Sequence, residues 1–165
     1  MTAPASSVSP LARYARWLHL QWPAGTVEKL PVCGPDGRTN VPGVFLCGDL
    51  TGVPLLKFAL DSGVRAVRAI AADLRARPRK AADAEPDLVI LGGGVAGMAA
   101  AIEAKLQGLS FEVIEATAPF ATIADFPRGK PIFTYPASLM PEGALQVRAT
   151  VKEQLLDELR AQVER

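Results

Sequence analysis

The sequence predicts an α/β fold with a parallel sheet, on three observations from its second half. An apolar run at 88–91 is typical of a buried strand, and a glycine-rich turn at 92–97 follows it directly. An alanine-rich helix is predicted over 96–107, and Gly108, which follows it, should end it. A second strand at 111–115 completes a strand–helix–strand unit, whose two strands should be parallel neighbours.

Four regions organise the 165 residues. We expect an N-terminal extension with a short helix over 1–25, a segment with one strand and one helix over 26–74, a linker over 75–86, and the strand–helix–strand unit with a C-terminal helix over 87–165. The linker contains two prolines and no apolar residue larger than alanine.

The elements outside the strand–helix–strand unit are predicted from apolar spacing. The run at 44–47 is unbroken and closed by Gly48, which is typical of a strand buried on both faces. A helix should begin near Val53, because apolar residues then recur every three or four positions. A proline-rich loop over 119–143 precedes the last helix, predicted over 144–163.

Composition excludes several classes of partner and site. A formal net charge of +1 gives no electrostatic reason to expect a nucleic acid or an anionic membrane. Cys33, Cys47 and the single histidine, His19, have no metal-ligand spacing, so no metal is expected. The N-terminal residues lack the pattern of a signal peptide or a membrane span, and two cysteines fit a reducing compartment. We therefore expect a cytoplasmic protein.

The glycine-rich turn carries the dinucleotide-binding pattern GxGxxG at Gly92, Gly94 and Gly97. Gly92 would let the backbone turn sharply off the strand, Gly94 would leave room for a pyrophosphate, and Gly97 would let the helix pack closely on the sheet. Glu115, at the end of the next strand, would accept hydrogen bonds from the adenosine ribose.

The start of the following helix supplies the remaining predicted ligand contacts. The backbone N–H groups of Val95 and Ala96 would point at the phosphates, where the helix dipole favours negative charge. An alternative is a tight strand-to-helix turn that binds nothing. The pattern and Glu115 together do not separate FAD from NAD.

A second motif bears on that choice. The run at 39–52, TNVPGVFLCGDLTG, resembles the second FAD motif of the pyridine nucleotide-disulfide oxidoreductases, in particular the thioredoxin-reductase-like branch. The resemblance implies FAD, with Gly48 and Asp49 in its site and Asp49 on the ribityl hydroxyls. The alternative for Gly48 and Asp49 is a strand end followed by an N-cap.

The order of the two motifs departs from that family, because the Gly-Asp segment here precedes the GxGxxG segment. The fold class that follows is α/β, a Rossmann-like FAD/NAD(P)-binding three-layer domain that is incomplete or circularly permuted. A junction between two tandem modules is an alternative. An incomplete sheet would leave apolar surface, so we expect a homodimer or a completing polypeptide.

The resemblance implies the FAD-binding part of a NAD(P)H-dependent flavoprotein oxidoreductase. NAD(P)H would be the electron donor through a domain absent from this chain, and no catalytic residue is identified. Two other hypotheses remain: a non-catalytic dinucleotide-binding module in a larger assembly, and an NAD-binding module without flavin, against which Asp49 argues.

Overall fold

The computed structural model describes residues 31–76 and 85–164, all within one unit of the chain, Pro31–Arg165. The predicted N-terminal extension over 1–25 lies outside the described residues, as does most of the predicted linker. The described helices and strands are α1 (Leu56–Ala76), β1 (Leu88–Leu91), α2 (Val95–Leu106), β2 (Phe111–Ile114), α3 (Ala121–Ala124) and α4 (Lys152–Val163).

The strand–helix–strand unit forms as its sequence predicts. β1 and β2 are parallel neighbours, with Leu88 opposite Phe111 and Leu91 opposite Ile114. α2 connects them, and its bounds lie within a residue of the prediction. This two-stranded parallel sheet with its helix fits a partial dinucleotide-binding fold.

The two faces of this sheet differ. Leu88, Ile90 and Phe111 pack in a cluster with Val67 of α1 and with alanines of α2. On the opposite face, Val89, Leu91 and Ile114 are 48%, 79% and 56% exposed. The expectation that β1 is buried is therefore wrong for alternate residues, because α1 and α2 cover one face and no other described element covers the second.

α1 and α2 approach each other closely because small residues line their contact. A Cβ built on Gly63 of α1 would stand 2.3 Å from the carbonyl oxygen of Ala96 in α2. Farther along the pair, the Arg68 guanidinium donates to the buried Glu103 carboxylate at 3.0 Å. The two halves of the sequence thus share one interface.

α4 completes the larger core. Its Leu155 and Leu159 are fully buried beside Leu60 and Val64 of α1. The prediction that this helix begins at 144 is wrong, since it begins at Lys152. The preceding backbone is extended and bonds to the loop: the Ile132 N–H donates to the Thr150 carbonyl at 2.8 Å.

The predicted strand at 44–47 is also wrong. This run bonds back to its own hairpin: the Thr39 N–H donates to the Val44 carbonyl at 3.1 Å, and the Leu46 N–H donates to the Gly37 carbonyl at 2.8 Å. A single antiparallel bridge joins Arg38 and Phe45. Without a parallel neighbour among the described strands, the run stays an isolated hairpin arm.

No helix within residues 31–76 and 85–164 is long and apolar enough to cross a membrane.

Candidate functional site

A cavity of about 410 Å³ lies where the two predicted FAD segments meet, and we call it the first cavity. One wall contains Gly48 and Asp49. Another contains Gly94, Val95 and Ala96 at the start of α2. Five of the eight predicted cofactor-binding residues therefore line one space, although they come from two segments that the predicted linker separates.

Two other glycines of the pattern do not line the first cavity but shape the turn behind it. Gly92 has φ +102°, a left-handed conformation that favours glycine, and its N–H donates to the Ile114 carbonyl at 2.8 Å. A Cβ on Gly97 would stand 1.9 Å from the Gly92 carbonyl oxygen. Gly92 thus turns the chain off β1, and Gly97 lets α2 pack against that turn.

Gly94 is a glycine for a different reason. Its φ of −70° suits any residue, and a Cβ built on it would meet no atom within 4 Å. The space in front of Gly94 is therefore open, as a pyrophosphate would require. Val95 and Ala96 follow in the first turn of α2, where N–H groups have no acceptor within the helix and can bind an anion. This arrangement fits a dinucleotide.

Glu115 lies beside the glycine turn but does not line the first cavity. Its Oε2 accepts a short hydrogen bond from the Gly93 N–H, and its Oε1 accepts from the Thr117 N–H at 3.1 Å. The Gly93 hydrogen bond, followed by that from Thr117, lowers the pKa of this carboxyl below its ordinary value of 4.5. The carboxylate orients the turn, and each oxygen keeps a lone pair for a further donor.

Gly48 and Asp49 belong to a short 3₁₀ turn, Gly48–Thr51, in front of α1. The Gly48 N–H donates to the buried Ser62 hydroxyl at 2.8 Å, and a Cβ on Gly48 would stand 3.1 Å from the Ala96 Cβ. The Asp49 carboxylate is exposed and makes no hydrogen bond with another described residue. Asp49 therefore caps neither this turn nor α1, and it can accept hydrogen bonds from a ligand.

α1 begins at Leu56, three residues later than the sequence predicts. Pro54 breaks the backbone hydrogen-bonding pattern before it, and Pro54, Leu55 and Leu56 all line the first cavity. The N-terminus of α1 is thus at the cavity.

The apolar walls were not predicted from the sequence. Phe120, Phe126, Ile132 and Phe133 come from the proline-rich loop, Ile123 comes from the short α3, and Leu155 comes from α4. Phe120 is 1% exposed and has φ +62°, a conformation uncommon for a bulky residue. The aromatic residues of the loop could have indicated that it packs against the protein, because a solvated loop rarely carries so many aromatic side chains.

Lys57 points away from the first cavity. Its ammonium donates to the carbonyls of Pro136 at 2.9 Å and Ala137 at 3.3 Å, and the residue is 5% exposed.

Burial raises the pKa of the Cys47 thiol, which argues against a reactive thiolate. His19 lies outside the described residues. Among the residues that are described, no group of three His, Cys, Asp or Glu side chains is placed to hold a metal.

Comparison with known families matches residues 87–130 to the family described as an FAD binding domain. This part of the chain is thus similar to FAD-binding domains, which supports FAD as the cofactor and suggests a flavoprotein oxidoreductase. Comparisons with curated proteins and with solved structures found no match.

Proposed function

We propose that this chain is the FAD-binding part of a NAD(P)H-dependent flavoprotein oxidoreductase with its two FAD segments in permuted order. One observation carries the proposal: Gly48 and Asp49 line the same cavity as Gly94, Val95 and Ala96. Two unrelated modules joined in tandem would have no reason to share a cavity.

Each residue has a distinct task in this proposal. The first turn of α2 binds the pyrophosphate over Gly94, Glu115 accepts from the adenosine ribose, and Asp49 accepts from the ribityl hydroxyls. Bound FAD would supply the electron-transfer chemistry, and the protein would position it and exclude water from it. The thioredoxin-reductase-like branch and the NAD(P)H donor rest on the sequence resemblance.

The test is the visible spectrum and the FAD affinity of the purified chain, measured by titration. We expect saturable binding of one FAD per chain, weakened at least tenfold by Asp49→Ala and abolished by Gly94→Val. Asp157→Ala, an exposed position on α4 that does not line the first cavity, is the matched control and should leave FAD binding unchanged. Absence of FAD binding would overturn the proposal. If Gly94→Val abolished FAD binding and Asp49→Ala left it unchanged, the Gly-Asp segment would not belong to the FAD site.

A non-catalytic dinucleotide-binding module is the second candidate. Asp49 is the single ionisable side chain among the described residues that line the first cavity, so these residues offer little acid–base chemistry. This candidate would be favoured if the chain bound FAD but NADPH did not bleach the visible absorbance of the bound flavin. The measurement includes any polypeptide that completes the protein.

We further propose that a second copy of the chain covers the outer sheet face of Val89, Leu91 and Ile114, since exposed apolar strands favour association. The alternative partner is a different polypeptide that completes the sheet. Sedimentation of the purified chain distinguishes the two partners, because a dimer would form from the chain alone only if a second copy covers this face. The cytoplasmic location remains a prediction, for which the free Cys33 and Cys47 thiols are the structural support.

A further inference from the structure

A second cavity, of about 450 Å³, lies next to the first. Its described lining comes from residues 131–135, 137, 150 and 151. Ile132 and Phe133 line both cavities, so the two spaces are separated by the thickness of these side chains. Its volume falls in the range typical of small-molecule sites.

Two stacked aromatic rings form part of this second cavity. The ring centroids of Phe133 and Tyr135 are 6.2 Å apart, and the ring planes differ by 18°. The two residues are 71% and 61% exposed, which is unusual for a paired apolar surface. Nearly parallel rings that face solvent provide a flat surface on which a third ring can stack.

The segment that carries these rings is held at several points. Lys57 of α1 donates to the Pro136 and Ala137 carbonyls, directly after Tyr135. One turn farther along α1, the buried Asp61 carboxylate accepts from the Glu142 N–H at 2.8 Å. A surface fixed before binding loses less conformational entropy when a ligand arrives.

The chemistry of the lining restricts the ligand. None of the described residues around the second cavity carries a charge, and its polar side chains are the hydroxyls of Thr134, Tyr135 and Thr150. Hydroxyls can donate to carbonyl oxygens without demanding a charged partner. A flat, uncharged ring with carbonyl oxygens satisfies both the stacked rings and the hydroxyls.

We propose that the second cavity binds a quinone, stacked on the Phe133–Tyr135 pair and separated from the first cavity by Ile132 and Phe133. The relation of this quinone to the flavin rests on the proposed function. Binding of the quinone itself does not, because Tyr135 and both threonines line the second cavity alone.

The experiment measures binding of duroquinone to the full chain by equilibrium dialysis, with and without FAD. All four ring positions of duroquinone are methylated, so the free Cys33 and Cys47 thiols do not add to it. We expect saturable binding in both conditions. Tyr135→Ala should raise the dissociation constant about tenfold, and Tyr135→Phe should change it far less, because the stacking ring remains.

Met140→Ala is the matched control: Met140 is 63% exposed on the same segment and lines neither cavity. An equal loss in Tyr135→Ala and Met140→Ala, or no saturable binding, would overturn the inference. Cyclohexane-1,4-dione keeps two carbonyl oxygens without the flat ring, so equal affinity for it would also overturn the inference. If the chain bound duroquinone but did not bind FAD, the proposed function would be refuted and the quinone site would still be supported.

Discussion

Gly63 of α1 faces the carbonyl oxygen of Ala96 in α2 so closely that a Cβ on Gly63 would stand 2.3 Å from it. The same Cβ would stand 3.2 Å from the Ala100 nitrogen. Both neighbours are helix backbone, which cannot rotate aside as a side chain can. This contact sets the distance between Asp49, in front of α1, and the glycine turn in front of α2.

Gly63→Ala should therefore destabilise the fold and weaken FAD binding together. The added methyl group must push α1 and α2 apart, and overpacking of this kind costs about 1–3 kcal/mol. Urea unfolding monitored by circular dichroism measures the free energy of unfolding. Arg65→Ala, an exposed change on the same helix, should stay within about 0.5 kcal/mol of the wild type. Equal stability of the two variants would show that the helices are not in such close contact.

Gly94→Ala and Gly97→Ala should fail in different ways. A Cβ on Gly94 meets nothing within 4 Å, whereas one on Gly97 would stand 1.9 Å from the Gly92 carbonyl oxygen. Gly94→Ala should keep the melting temperature of the wild type and bind FAD at least tenfold more weakly, because the methyl group occupies the pyrophosphate position. Gly97→Ala should melt at a lower temperature even without ligand. Thermal melts and FAD titrations of both variants check this, and full FAD affinity in Gly94→Ala would contradict it.

Lys57→Met should loosen the segment that follows Phe133. The ammonium lost in this variant donates to the Pro136 and Ala137 carbonyls, and hydrogen bonds from a charged group contribute about 1.5–3 kcal/mol. Hydrogen exchange followed by mass spectrometry should show faster exchange in peptides covering 133–142. Lys105→Met removes an exposed lysine from α2 and should leave those peptides unchanged. Unchanged exchange in Lys57→Met would mean that the two hydrogen bonds do not hold the segment.

Glu115→Gln should make the fold less sensitive to acid. Folding lowers the pKa of Glu115, so the carboxylate stabilises the fold above its unfolded pKa of about 4.5. That contribution is lost as the pH falls through the lower pKa of the folded protein. Melting temperatures of Glu115→Gln should therefore fall less than those of the wild type between about pH 5 and pH 3. Asp157→Asn, which removes an exposed carboxylate of α4 that has no hydrogen bond to another described residue, should follow the wild type. If Glu115→Gln also followed the wild type, the hydrogen bond from Gly93 would not stabilise the fold.

The strand–helix–strand unit was predictable because its signals are local. The apolar run before Gly92, the small residues of α2 and the stop at Gly108 act within a few positions of one another. The meeting of Asp49 with Gly94 was expected from the family resemblance alone, since no local pattern joins residues so far apart.

The errors arose where distant pairing decides the structure. Residues 144–150 continue the apolar spacing of α4, yet Thr150 accepts from Ile132 and keeps the backbone extended. Residues 44–47 have a strand composition, but among the described strands none pairs with them. The aromatic wall that contains Phe133 depends on a loop folding over α1, which spacing does not report.

The first cavity takes its lining from positions between Gly48 and Leu155, on both sides of the linker. A ligand in this cavity contacts groups that come together only when the whole unit is folded, so its binding free energy adds to the stability of the native state. At a free ligand concentration one hundred times the dissociation constant, that addition is about 2.7 kcal/mol. The abundance of such a protein in a cell would then follow the supply of its cofactor, because the unliganded chain unfolds and is degraded more often.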